Sequence, residues 1–209
     1  MNRIHITRKA VLAFVLALFL GHLPLLLAAD GADRYFELDF SWKYKGKPHT
    51  MEVKLPETTY EHYRSKRRDY KYGSYVLETA GNKIIPPLAK GLADKGKALG
   101  LNQFETAEFI INFVQSLKYL KETGEYPRYP VETLVDGGGD CEDTAILLAA
   151  ILDELEYDCV LLSPPRHMAV GLVVDGYSGQ HFTYEGKEER SLTNMQSKVP
   201  MLLLHIYRV

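Results

Sequence analysis

Three consecutive glycines run into an acid and a cysteine, Gly137-Gly138-Gly139-Asp140-Cys141, and then into a strongly apolar stretch from Thr144 to Leu155. That junction constrains the fold more than any other feature of the chain. Ile146, Leu147, Ala150, Ile151 and Leu155 suit a buried central helix. Asp140 is a natural N-cap for it, which places Cys141 at its first position. Glycine carries no Cβ, so the run admits close approach of backbone, or of a bound group, beside the helix start. The rest of the chain has to supply the layers that cover this helix.

The flanking sequence supplies them in order. Tyr35 to Tyr44 alternates, with Phe36, Leu38, Phe40 and Trp42 on one face. Lys45-Gly46-Lys47-Pro48 is a turn, and Thr50 to Leu55 alternates again, so the segment predicts a β-hairpin ended by Pro56. Glu57 to Tyr70 is polar and rich in Tyr, Lys and Arg, with a helical reading. Its basic run Arg64, Lys66, Arg67 and Arg68 is expected as a solvated face, with contact to an anionic lipid or polymer as the alternative. Ile84 to Leu99 predicts a helix started near Pro86 and Pro87 and closed by Gly100. Asn102 caps the next helix, with Glu105 in capping-box spacing and an apolar stripe of Ala107, Ile110, Ile111, Val114 and Leu117. Tyr126 to Pro130 reads as an extended connector. Cys159–Leu162 and His167–Val174 read as strands about a Ser163–Arg166 bend, Gln180–Glu185 as a third strand, and Gly186-Lys187 as a turn. Helices followed by consecutive antiparallel strands predict an α+β fold, its mainly antiparallel sheet packed on the cysteine-bearing helix.

The 209 residues, formal charge of −2 and 46% hydrophobic content describe an ordinary globular chain and give no reason to expect a nucleic-acid partner. Residues 1–29 read as a targeting segment: Arg3, Arg8 and Lys9, then an apolar run from Ala10 to Leu27, then small residues before Asp30. Pro24 and the small-residue exit favour a cleaved signal peptide, and the length of the run leaves a retained membrane anchor as the alternative. Either reading puts the remainder outside the cytoplasm, as a secreted protein or one anchored on the outer face of the membrane. That remainder, residues 30–209, suffices for one core. Its two cysteines are not expected to pair. A helix from Cys141 to about Leu155 is roughly 20 Å long and Cys159 lies beyond its far end, whereas a disulfide needs Cα atoms within about 7 Å. Cys159 reads as a small core residue.

Cys141 is the candidate nucleophile. Unpaired N–H groups and the helix dipole favour thiolate over thiol, and backbone N–H groups beside the sulfur suit an oxyanion. Asp140, Glu142 and Asp143 oppose this by bringing negative charge, so Cys141 needs a cationic or hydrogen-bonding partner. A helix followed by an antiparallel strand returns His167 toward the helix start, where an imidazole would pair with the thiolate. Two alternatives compete. Asp136, Asp140, Glu142 and Asp143 are oxygen donors suited to calcium, without EF-hand spacing. A zinc site built on Cys141 and His167 lacks two further convincing ligands.

Tyr129-Pro130-Val131-Glu132-Thr133-Leu134, Gly139-Asp140-Cys141-Glu142-Asp143 and His167-Met168-Ala169-Val170-Gly171 together resemble the bacterial and archaeal transglutaminase-like cysteine proteins. Phe113-Val114-Gln115 with Tyr119 fits the same pattern, and the resemblance runs from about Tyr72 to Lys187. It implies a papain-like core in residues 72–209, preceded by a hairpin-and-helix extension in residues 30–71. It also implies Cys141 as nucleophile, His167 as base and an acid that orients the imidazole, with no cofactor and no metal. The implied chemistry is amide acyl transfer or peptide hydrolysis on a protein or peptide, by a monomer. The chain departs from the family where that acid belongs: alignment on Gly186-Lys187 puts Thr193 there, with Asn194 adjacent and Glu185 and Asp175 as other candidates. An inactive binding domain is the alternative this departure supports. Gln115, Gly139 and Asp140 are the candidates for an oxyanion or substrate groove, Gln115 also reading as a polar residue on a helix surface.

Overall fold

The structure, a computed structural model, describes residues 34–78, 83–163, 167–172, 181–184, 187–191 and 205–208, the last three segments by backbone alone. The targeting segment lies outside the described residues. No helix among them is long and apolar enough to cross a membrane.

The hairpin forms as its pattern predicts. β1 (Tyr35–Tyr44) and β2 (Lys47–Pro56) pair antiparallel with Tyr44 opposite Lys47, leaving a two-residue turn. Lys45 and Gly46 both take positive φ (46° and 77°), the pair of values a primed hairpin turn requires. Leu38, Trp42 and Tyr44 are buried and Phe36 and Phe40 half-buried, while Glu37, Asp39, Ser41 and Lys43 face water. After α1 (Glu57–Arg64), α2 (Tyr72–Leu77) and α3 (Ile85–Ala98), that apolar face closes on α4 (Gln103–Gln115). Phe109 meets the rings of Trp42, Tyr44 and His49 at centroid distances of 5.0–5.4 Å, and Phe113, one turn on, meets Phe40 and Trp42 at 5.3 and 5.2 Å. The predicted capping box starts α4: the Asn102 side chain accepts from the Glu105 N–H at 2.9 Å, and the Asn102 N–H donates to the Glu105 carboxylate at 3.2 Å.

α6 (Cys141–Asp153) is the central helix, with Ala145 to Leu152 buried without interruption. One side packs on the antiparallel sheet, built from β5 (Cys159–Ser163), β6 (Ala169–Leu172), β7 (His181–Tyr184), β8 (Lys187–Ser191) and β9 (His205–Arg208) in the order β7-β8-β6-β5-β9. Cys159 to Leu162 are buried in succession, as a strand covered on both faces must be. Cys141 and Cys159 form no disulfide, and Cys159 is a core residue at the α6–β5 contact. The α+β class with its antiparallel sheet therefore holds.

Several local expectations change. The helix after the hairpin stops at Arg64, and the basic run is not a solvated face throughout. Arg68 turns inward, donates to both oxygens of the fully buried Glu132 at 2.7 and 2.8 Å, and lies over the rings of Tyr126 and Tyr129. His167 precedes β6 by two residues rather than opening it. The segment before the glycines is helical, α5 (Pro130–Asp136), because Pro130 sits at its first turn and the Glu132 carboxylate accepts from the Tyr129 N–H. β8 and β9 lie in segments given no strand by the sequence pattern.

Candidate active site

Two short elements bring the end of α4 to the start of α6. β3 (Lys118–Tyr119) pairs in parallel with β4 (Gly138–Gly139), and flanking bonds from Lys118 N to Gly137 O and from Leu120 N to Gly139 O extend the contact. The glycine run is explained by this crossing. Gly137 takes φ 69° to cap α5. A Cβ on Gly138 would be driven into the Lys118 carbonyl, and one on Gly139 into the Asp143 side chain. Of the two approaches the glycine run admits, backbone or bound group, the one at Gly138 and Gly139 is made by the chain itself.

The acids around Cys141 divide into two groups. Asp143 is fully buried, accepts from the Asp140 N–H at 3.1 Å and from the Arg128 N–H at 2.7 Å, and pairs with the Arg128 guanidinium at 2.6 Å. The same guanidinium holds Asp136 at 3.0 Å and also pairs with Glu122. Asp136 and Asp143 thus serve Arg128 and are not free to join Asp140 and Glu142 around calcium. The donor atoms of Asp140, Cys141 and Glu142 lie within 4.8 Å of one another. The Cys141 thiol donates to Glu142 at 3.4 Å, and Oδ1 of Asp140 is buried without a hydrogen-bond partner among the described residues.

A cavity of about 240 Å³ opens at this helix start. Cys141, His167, Gln115 and Gly139 all line it, together with Tyr119 and Thr144. The sulfur also receives the backbone N–H of Met168, the residue next to His167. Gln115 arrives at the last position of α4, exposed, and Tyr119 stands 70% exposed at the rim. Asp140 occupies the N-cap position beside the sulfur. Asn194, Glu185, Asp175 and Thr193, the candidates for the orienting group, lie outside the described residues.

The electrostatics overturn one expectation. Burial pushes the Cys141 thiol up to about 11, and the Glu142 and Asp140 charges add to that against the Met168 N–H. The helix dipole does not prevail, because burial disfavours the thiolate and the nearby carboxylates add to it. Burial lowers the pKa of His167, so the imidazole rests neutral beside a protonated thiol rather than forming an ion pair. Burial, with the Glu142 carboxyl next to it, raises Asp140 to about 6. Burial also raises Tyr119, followed by the charges of Cys141, Asp140 and Glu142, which places the phenol in the field of the same site.

Three participants were not singled out from sequence as lining the site. Thr144 and Leu148 follow Cys141 at i+3 and i+7, so helical spacing alone assigns them to the cysteine's face. The Met168 N–H had no such signal, since a backbone donor is invisible in residue identity.

No family model matches this chain, and no curated protein does. Among solved structures the chain is similar to the crystal structure of a "putative protease" from Parabacteroides distasonis ATCC 8503, at a TM-score of 0.42 and 17% sequence identity, over 75% of this chain. The match covers 36% of that protein's length.

Proposed function

We propose that this chain performs cysteine-dependent amide acyl chemistry, as a peptidase, isopeptidase or transglutaminase-like acyltransferase acting on a protein or peptide outside the cytoplasm. The single observation that carries the reading is the shared cavity: sulfur, imidazole and a carboxamide from three distant parts of the sequence line one opening at a helix start. The resemblance of the Gly139–Asp143 and His167–Gly171 segments to transglutaminase-like proteins supports the same reading and with it a papain-like core. Export by residues 1–29, cleaved or retained, and a monomeric state belong to the same proposal, which needs no cofactor.

In this mechanism Cys141 Sγ attacks the amide carbonyl carbon. The S–C bond forms as the thiol proton passes to the neutral His167. The carbonyl electron pair moves onto oxygen, facing Gln115 and the start of α6. Collapse expels the amine, which takes the proton from His167, and leaves a thioester on Cys141. Water then yields a carboxylic acid, or a second amine yields a new amide. Asn194 or Glu185 would orient the imidazole. Because thiol and imidazole both rest neutral, proton transfer accompanies attack rather than preceding it.

The test is alkylation of Cys141 by iodoacetamide at pH 7, followed by mass spectrometry, in the native chain and in His167→Ala. A reduction of at least about tenfold in the variant is expected, since a positioned base contributes 10²–10⁴ to such steps. Equal rates overturn the proposal. They would support instead a binding domain that retains the groove without turnover, a reading favoured by the thiol's displacement to about 11.

A further inference from the structure

Resting on that reading, we propose that the site selects substrates with an unbranched-to-bulky aliphatic side chain, of leucine or methionine type, on the residue whose carbonyl Cys141 attacks. The cavity beside the sulfur is floored by Ile111 and Val114 of α4, Ala145 and Leu148 of α6, and Met168. All five are nearly buried, so the little surface each retains is available mainly to whatever enters the opening. Ala145 and Leu148 follow Cys141 at i+4 and i+7 on one helix face. At 1.5 Å per residue they lie about 6 and 10 Å along the axis from the cysteine. A side chain branching next to the attacked carbonyl therefore runs down this apolar stripe as it extends. The volume of about 240 Å³ is below the ~300 Å³ at which pockets begin to hold whole small molecules, and so fits one side chain.

The donor atoms of Asp140 and Glu142 lie within 4.8 Å of the sulfur, but neither residue lines the cavity, whose lining includes the basic side chain of Lys118. A carboxylate that runs down the stripe meets an apolar floor that cannot solvate it. Acidic side chains are therefore disfavoured along the floor.

The experiment uses N-acetyl aminoacyl chloromethyl ketones carrying leucine, alanine or glutamate side chains. Each alkylates Cys141 with formation of an S–CH₂ bond, loss of chloride and transfer of the thiol proton. Modification of Cys141 is followed by mass spectrometry on the native chain, and each rate is divided by that of the alanine probe. The leucine probe is expected to react at least about tenfold faster than alanine, the scale on which a hydrophobic pocket discriminates by added methylenes, and the glutamate probe slower than alanine. In Ala145→Leu, which fills the floor, the leucine-to-alanine ratio falls toward one. Because the readout is a ratio within one protein, loss of material cancels, and if that variant does not fold the three native rates decide. A native leucine-to-alanine ratio near one, or glutamate as fast as alanine, overturns the inference. His167→Ala separates the two claims. Slow reaction of that variant with all probes, alongside a native ratio near one, removes the selectivity and keeps the catalytic reading. Undiminished reaction of that variant removes the catalytic reading.

Discussion

At the scale of single residues, Cys141 and Glu142 are adjacent in sequence, yet their joint effect depends on burial. A solvated thiol beside a carboxylate would feel a screened charge. Here the approach of α4 and Met168 removes water, and the thiol rises to about 11. Glu142 contributes both charge and a hydrogen-bond acceptor to that rise. Glu142→Gln removes the charge and keeps the shape. The pH–rate profile of Cys141 alkylation is then expected to shift to lower pH, with the rate at pH 8 rising about tenfold, as removal of one like charge allows. An unchanged profile would mean that burial alone sets the thiol. The glycine run illustrates the limit of reading residues singly. Three glycines announce close approach, but whether a ligand or the chain itself makes it depends on β3, a partner about twenty residues upstream whose two-residue pairing carries no pattern of its own.

At the scale of elements, the start of α6 is held by Arg128, which reaches Asp143 on α6, Asp136 on α5 and Glu122 in the preceding loop. The Asp136 carboxylate in turn accepts from Tyr60 on α1 at 3.0 Å, so α1 joins the three segments that share the guanidinium. Arg128→Ala strands Asp143 fully buried without its charge partner. A loss of about 3–5 kcal/mol is expected in urea denaturation, the usual consequence of removing one side of a buried pair. Arg128→Lys keeps the charge but not the planar fork, and should recover only part of that loss. These networks were illegible in the sequence for a physical reason. Arg68 and Glu132 stand 64 positions apart, and nothing in a run of basic residues says which one turns inward. The hairpin turn at Lys45-Gly46 and the Asn102–Glu105 box were legible because each is decided within four residues, by φ preference and by reach of one side chain. The pairing of β9 with β5 was illegible for the same reason as the Arg68–Glu132 pair, its partner lying more than 40 residues away.

At the scale of the whole molecule, His167 in the cavity lining and Asp140 at the head of α6 make opposite contributions to stability as pH changes. Burial lowers the pKa of His167, so between its folded value and about 6.5 the unfolded chain binds more protons than the folded one. Stability from this group is complete above pH 6.5 and is lost as the pH falls through the folded value. Asp140 has the reverse sign. Its folded pKa of about 6 exceeds the unfolded value near 3.9, so the folded chain binds more protons in that window and stability falls as pH rises from 4 to 6. Asp140→Asn keeps an N-cap residue at the head of α6 while removing the charge. Measured by urea denaturation, this variant should gain on the native chain steadily from pH 4 to 6 and hold that advantage above pH 7. His167→Gln should gain in the other direction, as the pH drops below 6.5. A constant offset between variant and native chain across the range would mean that neither group is shifted by folding. The cavity would then be wetter than its lining implies, and both the protonated resting thiol and the disfavouring of carboxylates along the floor would lose their physical basis.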